Sequence, residues 1–384
     1  MNGFSLSIGA PGAPLHAAAH SHHPWPDVTL VAQEQAWRDA AHLLDRKWQQ
    51  IFATVIPQAQ AHVARILGLP DPSSIVFGPN THSFVVRVLS CLPQARPPRV
   101  LTSSSEFMSF ARQIARLEED GATVTRVACE PFESFEARFC ESARTGEYDL
   151  IYVSQVFFDS GFALRDLQAI VNAATNPETF VVIDGYHGFM AIPTDLSAIA
   201  HRAYYLAGGY KYAMAGEGAC FLHCPPGYGA RPRNTGWYAG FSALEQGGGG
   251  VPFATDGSRF LGATFDVSGL YRFNAVQDWL LLGEQNVAGM LAQVRALERA
   301  VLAELDRLHA PVGSTNMLVS GENDRGRFLA FRTGEAAAIS GRLAANNIIV
   351  DHRGDRLRIG FGIYHEPDDA VQLARAIALL PPSP

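Results

Sequence analysis

The chain carries a carboxylate, an imidazole and an amine at a spacing that could build one reactive site. Asp184 ends the apolar run 180–183, His187 follows three residues later, and Lys211 comes further on, behind two glycines. A lysine amine can form a Schiff base, and a carboxylate can pair with a protonated ring nitrogen. These residue types at strand ends indicate a site for pyridoxal phosphate (PLP). The alternatives are a surface lysine after a turn and an aspartate that caps a helix.

A second polar group lies in the tight turn 78–83, between a short apolar strand at 74–77 and a helical pattern at 84–92. Its candidate residues are Asn80, Thr81, His82 and Ser83. The start of a helix leaves backbone N–H groups without partners, and hydroxyl groups add further donors. The turn is therefore a candidate phosphate site, with ordinary N-capping of the helix as the alternative.

The elements that would position these residues alternate between strands and helices. Apolar strands are predicted at 99–102, 122–127, 149–154, 179–183 and 204–207, with helical patterns between most of them. Such alternation predicts an α/β fold whose mostly parallel sheet is covered by helices on both faces. Ligands bind such sheets at the carboxyl ends of the strands. The residues that follow predicted strand ends, and should therefore meet in one crevice, are Asn80, Phe107, Gln155 and Asp184.

The length of 384 residues favours two domains, and 47% apolar residues can bury a substantial core. We divide the chain into an N-terminal arm at 1–27, a large domain at 28–262 and a small C-terminal α+β domain at 263–384. The arm is rich in histidine and proline and has no periodicity. The spacing of its histidines fits no standard metal module, so no metal site is predicted.

Local patterns add further expectations. Helical periodicity predicts one helix over 28–52 and another over 57–67 that ends at Gly68. Residues 216–222 indicate a pair of strands around a glycine turn. The glycine run 247–250 indicates a flexible segment.

Composition and charge exclude several classes of function. The net charge of −7 gives no basic surface for nucleic acid. No apolar run approaches the ~20 residues that span a bilayer, and the first residues lack the features of a secretory signal. The five cysteines are scattered and odd in number, so we expect a reducing, cytoplasmic environment.

Several motifs occur together in a specific order along the chain. They are Val153-Ser154-Gln155-Val156 through Gly161, Asp184-Gly185-Tyr186-His187-Gly188, Asp195-Leu196, Gly209-Tyr210-Lys211-Tyr212-Ala213-Met214-Ala215-Gly216 and Arg356-Leu357-Arg358-Ile359-Gly360. In this order they resemble the class V aminotransferase superfamily of fold-type I PLP enzymes, the group that contains kynureninase and the cysteine desulfurases. The resemblance covers about residues 70–370. It implies the PLP-dependent transferase fold, with a large sheet domain and a smaller C-terminal domain.

The resemblance implies a role for each residue around the cofactor ring. Lys211 would hold PLP as a Schiff base and move the α-proton of the substrate. Asp184 would keep the ring nitrogen protonated, and His187 would lie near the phenolic oxygen. Phe107 matches the position that stacks on the ring, for which a core aromatic residue is the alternative.

The resemblance also implies how the phosphate is held. Thr81, His82 and Ser83 match the phosphate-binding turn, and Tyr210 matches a tyrosine that contacts the phosphate. Thr264 matches a threonine that reaches the phosphate of the neighbouring subunit. We therefore expect a homodimer whose active site is shared between subunits.

On the substrate side, Arg358 matches the arginine that binds the carboxylate of the amino-acid substrate. A guanidinium can hold a carboxylate through two parallel hydrogen bonds. Arg353 and Arg356 are nearby alternatives. His20, in the N-terminal arm, and Tyr238 are further candidates for contact with the substrate.

The chain also departs from its relatives. Phe157-Phe158 replaces an asparagine near the cofactor, and Ala263-Thr264 replaces a Ser-Asn pair of kynureninase, whose tryptophan-bearing loop reads Gly236-Trp237-Tyr238 here. These changes argue against kynurenine as the substrate. No cysteine follows Cys224, which argues against desulfuration through an enzyme persulfide.

The sequence therefore predicts a PLP-dependent enzyme that acts on a small amino acid, first of all a class V aminotransferase. A kynureninase-like or other C–C or C–S lyase is the alternative within the same chemistry. A PLP-binding protein without turnover is the alternative from another class.

Overall fold

The computed structural model describes residues 3–227, 229–243 and 250–380. The helices are α1 Val28–Leu43, α2 Lys47–Gln50, α3 Ile56–Leu67, α4 Thr81–Leu89, α5 Met108–Glu119, α6 Phe135–Thr145, α7 Leu167–Ala173, α8 Ser268–Leu282, α9 Val287–Arg307, α10 Ala336–Ala345 and α11 Pro367–Ala378. The strands are β1 Leu15–His16, β2 Ile75–Gly78, β3 Arg99–Ser103, β4 Thr123–Val127, β5 Leu150–Ser154, β6 Phe180–Asp184, β7 Ala203–Ala207, β8 Cys220–His223, β9 Leu329–Arg332, β10 Ile348–Ile349, β11 Asp351–Arg353 and β12 Arg356–Ile359. The predicted flexible run 247–250 lies outside the described residues except for Gly250.

The centre of the molecule is a seven-stranded sheet in the order β2-β8-β7-β6-β5-β3-β4. The pairs β7–β6, β6–β5, β5–β3 and β3–β4 are parallel, and β8 runs antiparallel to both of its neighbours. In this register Ser154, the last residue of β5, lies beside Asp184, the last residue of β6. The predicted α/β fold with a mostly parallel sheet is confirmed.

Buried side chains cover both faces of this sheet. Along β6, Val181 and Ile183 pack into one core, whereas Phe180 and Val182 pack into the other. Strands that are buried on both faces read as continuous apolar runs, which is why the sequence shows no polar alternation there. The first polar side chain of the strand is Asp184, at the edge where ligands bind.

The C-terminal part of the chain builds a second core around the antiparallel sheet β11-β12-β9. This core begins at Val294 in α9, whereas α8 packs with the core of the large sheet. The N-terminal arm joins the second core. Its strand β1 pairs in parallel with β10, and Ala17 is fully buried in the second core. The division of the chain at residue 262 stays a prediction.

Two local predictions are wrong. The helix predicted over 28–52 is interrupted, because α1 ends at Leu43 and Leu44 has a left-handed backbone with φ of 51°. A π-helical turn, Ile51–Val55, then leads into α3, which ends at the left-handed Gly68 as predicted. Residues 216–222 supply a single strand, β8, where a strand pair was predicted.

No helix within the described ranges is long and apolar enough to cross a membrane.

Candidate active site

The reactive amine of the site is that of Lys211, in the turn that follows β7. Its side chain lies against the rings of Tyr186 and Tyr210, with Nζ 5.8 and 5.3 Å from their centroids. Nζ donates a hydrogen bond of 3.0 Å to the backbone carbonyl of His20. Burial, reinforced by the nearby positive charge of Arg358, lowers the pKa of Lys211 to about 7. A large share of the side chain is therefore a free amine near neutral pH.

The carboxylate of Asp184 is fixed from two sides. Tyr152 donates its hydroxyl to Oδ2 at 2.7 Å, and the backbone N–H of Tyr186 donates to Oδ1 at 2.9 Å. Burial raises the pKa of Asp184, although these hydrogen bonds and the charge of Lys211 oppose the rise. A cationic ring beside this carboxylate would stabilise its ionised form.

His187 is buried beside the same cavity, with its ring 5.8 Å from that of Phe328. Burial, together with the positive charges of Lys211 and Arg358, holds the pKa of His187 well below its usual range, so the imidazole is neutral. Its Nδ1 has no hydrogen-bond partner among the described residues. A buried polar atom without a partner carries a free-energy cost, so this atom is a candidate contact for a ligand.

The residues of the predicted phosphate turn fall into two groups, those that cap the helix α4 and those that face the cavity. Asn80 caps α4, because its Oδ1 accepts hydrogen bonds from the backbone N–H of Ser83 at 2.9 Å and from the Ser83 hydroxyl at 3.0 Å. This pair therefore forms the N-cap that the sequence also allows, and Asn80 lines the cavity as well. Thr81 and His82 lie at the first turn of α4 and line the cavity. Their position leaves the positive end of a helix facing a potential phosphate.

These groups surround one cavity of about 190 Å³. Its wall consists of Asn80, Thr81, His82, Val85, Phe107, Ser109, Phe110, Tyr152, Ser154, Val156, Phe158, Asp184, Tyr186, His187, Tyr210 and Lys211. Phe107 is 41% exposed and meets Phe158 edge to face, with 5.5 Å between ring centroids. The structure thus brings together the predicted ring and phosphate contacts, apart from Ser83 and Thr264.

Arg358, the predicted carboxylate-binding residue, lies behind the wall of the cavity and is only 2% exposed. Its guanidinium donates to the carboxylate of Asp351 and to the backbone carbonyl of Phe158. Of the two alternatives, Arg353 donates to the other oxygen of Asp351 at 3.0 Å, and Arg356 pairs with the neighbouring Asp355.

His20 is fully buried, and its ring stacks on Phe328 with 4.7 Å between centroids. Its Nε2 lies 3.7 Å from Oδ2 of Asp351. Burial lowers the pKa of His20 to about 3, so the ring is neutral. The arm therefore contributes a backbone acceptor for Lys211 and a packed side chain next to Asp351.

Tyr238 and Thr264 lie away from the cavity of Lys211. Tyr238 is buried among aromatic rings, with Phe52 and Phe241 at 5.7 and 5.8 Å between centroids. Thr264 is exposed and lines a different cavity, which also contains Trp37 and Tyr271.

Sequence reasoning missed a second buried carboxyl group, that of Glu106. It accepts hydrogen bonds from the hydroxyls of Ser103 at 2.5 Å and Ser154 at 2.6 Å. Burial, with a contribution from the nearby charge of Asp184, raises the pKa of Glu106 to about 7. In the sequence, Glu106 belongs to the polar run 103–106 directly after a predicted strand end. Such a pattern by itself predicts only a turn.

No cysteine lies in the wall of the Lys211 cavity. All five cysteines are buried and free, and burial raises the pKa of Cys129 and Cys220 to about 11. Within the part of the chain that the structure describes, no group of three potential metal ligands occurs.

Comparisons with known proteins add a family and a set of similar structures. A family model described as aminotransferase class-V matches residues 15–371. A search of curated protein sequences gives no significant match.

Three similar solved structures belong to two proteins. A lysine variant of C-DES with glycine covalently linked to the PLP cofactor has a TM-score of 0.82, at 17% identity over 98% of this chain and 99% of that chain. The cystine C–S lyase C-DES in complex with its product, cysteine persulfide, gives 0.79, at 16% identity over 96% and 98%. The cysteine desulfurase CsdA of Escherichia coli gives 0.77, at 17% identity over 98% and 97%. Identities this low establish a shared fold.

Proposed function

Because the chain belongs to the aminotransferase class-V family, we propose that it holds PLP at Lys211 and cleaves a C–S bond in a small amino acid. The sequence resemblance and the fold-type I architecture are both confirmed, and PLP is the cofactor of this family. The enzyme is an aminotransferase or a lyase. The choice of a lyase and the roles of individual residues are the proposal.

The observation that carries the proposal is the position of the two lysines of the chain. Lys211 lies in the cavity that also contains Asp184, whereas Lys47 lines a different cavity beside Trp48. Only Lys211 therefore combines a free amine, a carboxylate for a ring nitrogen and a helix start for a phosphate. The unpartnered Nδ1 of His187 adds one more polar contact for PLP. The described residues fit the cofactor.

When bound, PLP supplies an electron sink that stabilises negative charge at the Cα atom of the substrate. The protein must then move protons. The Lys211 amine, with its pKa of about 7, can accept the Cα proton near neutral pH. It can return that proton to the sulfur that leaves Cβ with the bonding electron pair. The products are a thiol or persulfide and 2-aminoacrylate, which water converts to pyruvate and ammonia.

A lyase of this kind needs no cysteine of its own when the substrate is a disulfide. The wall of the Lys211 cavity contains no cysteine, so it offers no thiolate that could accept sulfur from the substrate. A lyase that acts on a disulfide is compatible with such a cavity. The similar structures of C-DES, a cystine C–S lyase with a persulfide product, support the same choice. An aminotransferase remains the second candidate, supported by the family description.

We also propose that the protein is a homodimer. Large apolar side chains are exposed on the single chain, including Trp37, Leu44 and Phe241, and Trp37 lines the same cavity as Thr264. A surface of this kind is typical of subunit contacts. Light scattering should give twice the mass of one chain, and a monomer that retains PLP would refute a shared site. The five free cysteines support the cytoplasm as the proposed location.

The decisive test compares Lys211→Ala with the matched control Lys47→Ala. Wild type and the control should be yellow with PLP, and borohydride reduction should attach the cofactor to the peptide that contains Lys211. With cystine as the substrate, wild type and Lys47→Ala should release pyruvate, ammonia and persulfide sulfur. The kcat of Lys211→Ala should be lower by at least about 10³-fold. A wild-type protein that stays colourless with added PLP would refute the assignment.

The products also separate the alternatives. Alanine or another amino acid formed only when a 2-oxo acid is added would identify an aminotransferase. Release of anthranilate from kynurenine would identify a kynureninase-like C–C lyase. A coloured protein without turnover on any amino acid would indicate a binding protein.

A further inference from the structure

Arg358, the proposed carboxylate-binding cation behind the cavity wall, already has a partner within the protein. Asp351 and Arg358 lie directly opposite each other on the hairpin β11–β12, and their side chains form an ion pair. Asp351 is largely buried with it, at 13% side-chain exposure. A guanidinium buried without a counter-ion would be strongly destabilising. Asp351 therefore neutralises Arg358 in the form of the protein without substrate.

Asp351 has a second cationic partner that does not depend on Arg358. Its Oδ1 accepts from Arg353 at 3.0 Å, whereas Oδ2 contacts Arg358. Burial alone would raise the pKa of Asp351, but His20, Arg358 and Arg353 together hold that pKa well below its usual range. Loss of Arg358 would leave the carboxylate paired with Arg353, which is 44% exposed and can adjust its position.

Arg358 is close to the reactive groups even though it does not line the cavity. Its positive charge lowers the pKa of both Lys211 and His187. It also donates to the backbone carbonyl of Phe158, whose side chain forms part of the cavity wall. The guanidinium is therefore in contact with a residue of the cavity wall.

We propose that Asp351 sets the affinity of the site for carboxylates by competing with the substrate carboxylate for Arg358. The carboxylate of an incoming amino acid binds Arg358 by replacing Asp351, and Arg353 then retains Asp351. This exchange lowers the affinity for every carboxylate, because each must break an existing ion pair. Only ligands that form further contacts in the cavity bind well. The inference rests on the proposed action on amino acids.

The test measures binding without catalysis, so that its failure is distinct from failure of the lyase assignment. The probe is propionate, with propionamide as the neutral control, and the measurement is ligand-detected NMR on purified protein with and without PLP. Asp351→Asn should bind propionate roughly 10-fold more tightly than wild type, because propionate no longer competes with the Asp351 carboxylate for the Arg358 guanidinium. Propionamide binding should not change.

A second variant moves the affinity in the opposite direction. Arg353→Gln removes the other partner of Asp351, so Asp351 should hold Arg358 more firmly and propionate affinity should fall about 3-fold. Asp355→Asn, on the same hairpin but paired with Arg356, is the matched control and should leave the affinity unchanged. In the double variant Asp351→Asn/Arg358→Gln, the gain should disappear.

Unchanged or weaker propionate binding by a folded Asp351→Asn protein would overturn the proposal. Because Arg353 is exposed, Arg353→Gln should fold even if Asp351→Asn does not, and unchanged or tighter binding by that variant would overturn it as well.

Discussion

The two sides of the cavity differ in how their polar groups are satisfied. On the cofactor side, Lys211, Asp184 and His187 line the cavity, and Nδ1 of His187 has no partner among the described residues. On the proposed substrate side, the charge of Arg358 is already neutralised by Asp351. A cofactor remains bound between turnovers, whereas a substrate leaves. The proposed substrate side therefore keeps a counter-ion for its cation within the protein, whereas Nδ1 of His187 on the proposed cofactor side is left for a ligand.

The largest expected effect on catalysis comes from removing the charge of Asp184. Asp184→Asn keeps the size of the side chain but removes the charge that would stabilise a protonated ring nitrogen. We expect kcat to fall by roughly 10²- to 10³-fold with little change in KM. Steady-state kinetics and the absorbance of the bound cofactor measure both effects. A rise confined to KM would place Asp184 on the substrate side instead.

The matching change on the substrate side is Arg358→Gln. It removes the guanidinium but leaves Asp351 paired with Arg353. KM for the amino acid should rise roughly 10-fold while kcat stays within a few-fold, because a contact with the substrate carboxylate is lost in both ground and transition states. The same variant should still bind PLP with the wild-type spectrum. Loss of the cofactor would show that the two sides are not independent.

The third prediction concerns folding stability instead of catalysis, and its residue is Glu106, which is buried next to Ser154 of the cavity wall. Its pKa is raised from 4.5 to about 7 in the folded protein, so folding disfavours its ionised form. This destabilisation is absent below pH 4.5 and develops as the pH rises to 7. Glu106→Gln should remove it, which makes the variant more stable relative to wild type at pH 7 than at pH 4.5. The difference is on the order of 3 kcal/mol, since one pKa unit is about 1.4 kcal/mol.

Denaturant unfolding of both proteins at several pH values measures this difference. The hydrogen bonds from Ser103 and Ser154 are available to either side chain, so they should not create a pH trend. A variant whose stability relative to wild type is the same at pH 4.5 and pH 7 would show that Glu106 is not perturbed.

The sequence could predict the parts of the site that depend on strand ends. Asp184 ends an apolar strand and Lys211 follows another, and parallel strands bring their carboxyl ends to one edge of the sheet. The order of helices and strands was predictable for the same reason, since buried apolar runs alternate with amphipathic segments. The positive φ of Leu44, which interrupts the first helix, could not be predicted, because leucine does not favour that backbone conformation.

The partners of Arg358 and Lys211 could not be predicted, because they depend on register and on contacts between distant segments. The pairing of Asp351 with Arg358 follows from the register of a hairpin, and a shift of one residue would separate them. The acceptor for Lys211 is a backbone carbonyl, that of His20, which carries no signal in a side-chain pattern. Glu106 resembles a turn residue in the sequence, and only its burial reveals the perturbed carboxyl group.

The N-terminal arm makes the assembly of the site dependent on the whole chain. Residues 15–19 pair with the segment around 348–360, so during synthesis they remain without their partners until that distant segment has emerged. The carbonyl of His20 can take its place above Lys211 only after this pairing. The large sheet can therefore form early with its amine still open to solvent. We therefore expect the acceptor of the Lys211 amine to reach its position late in folding, after the C-terminal strands have been made.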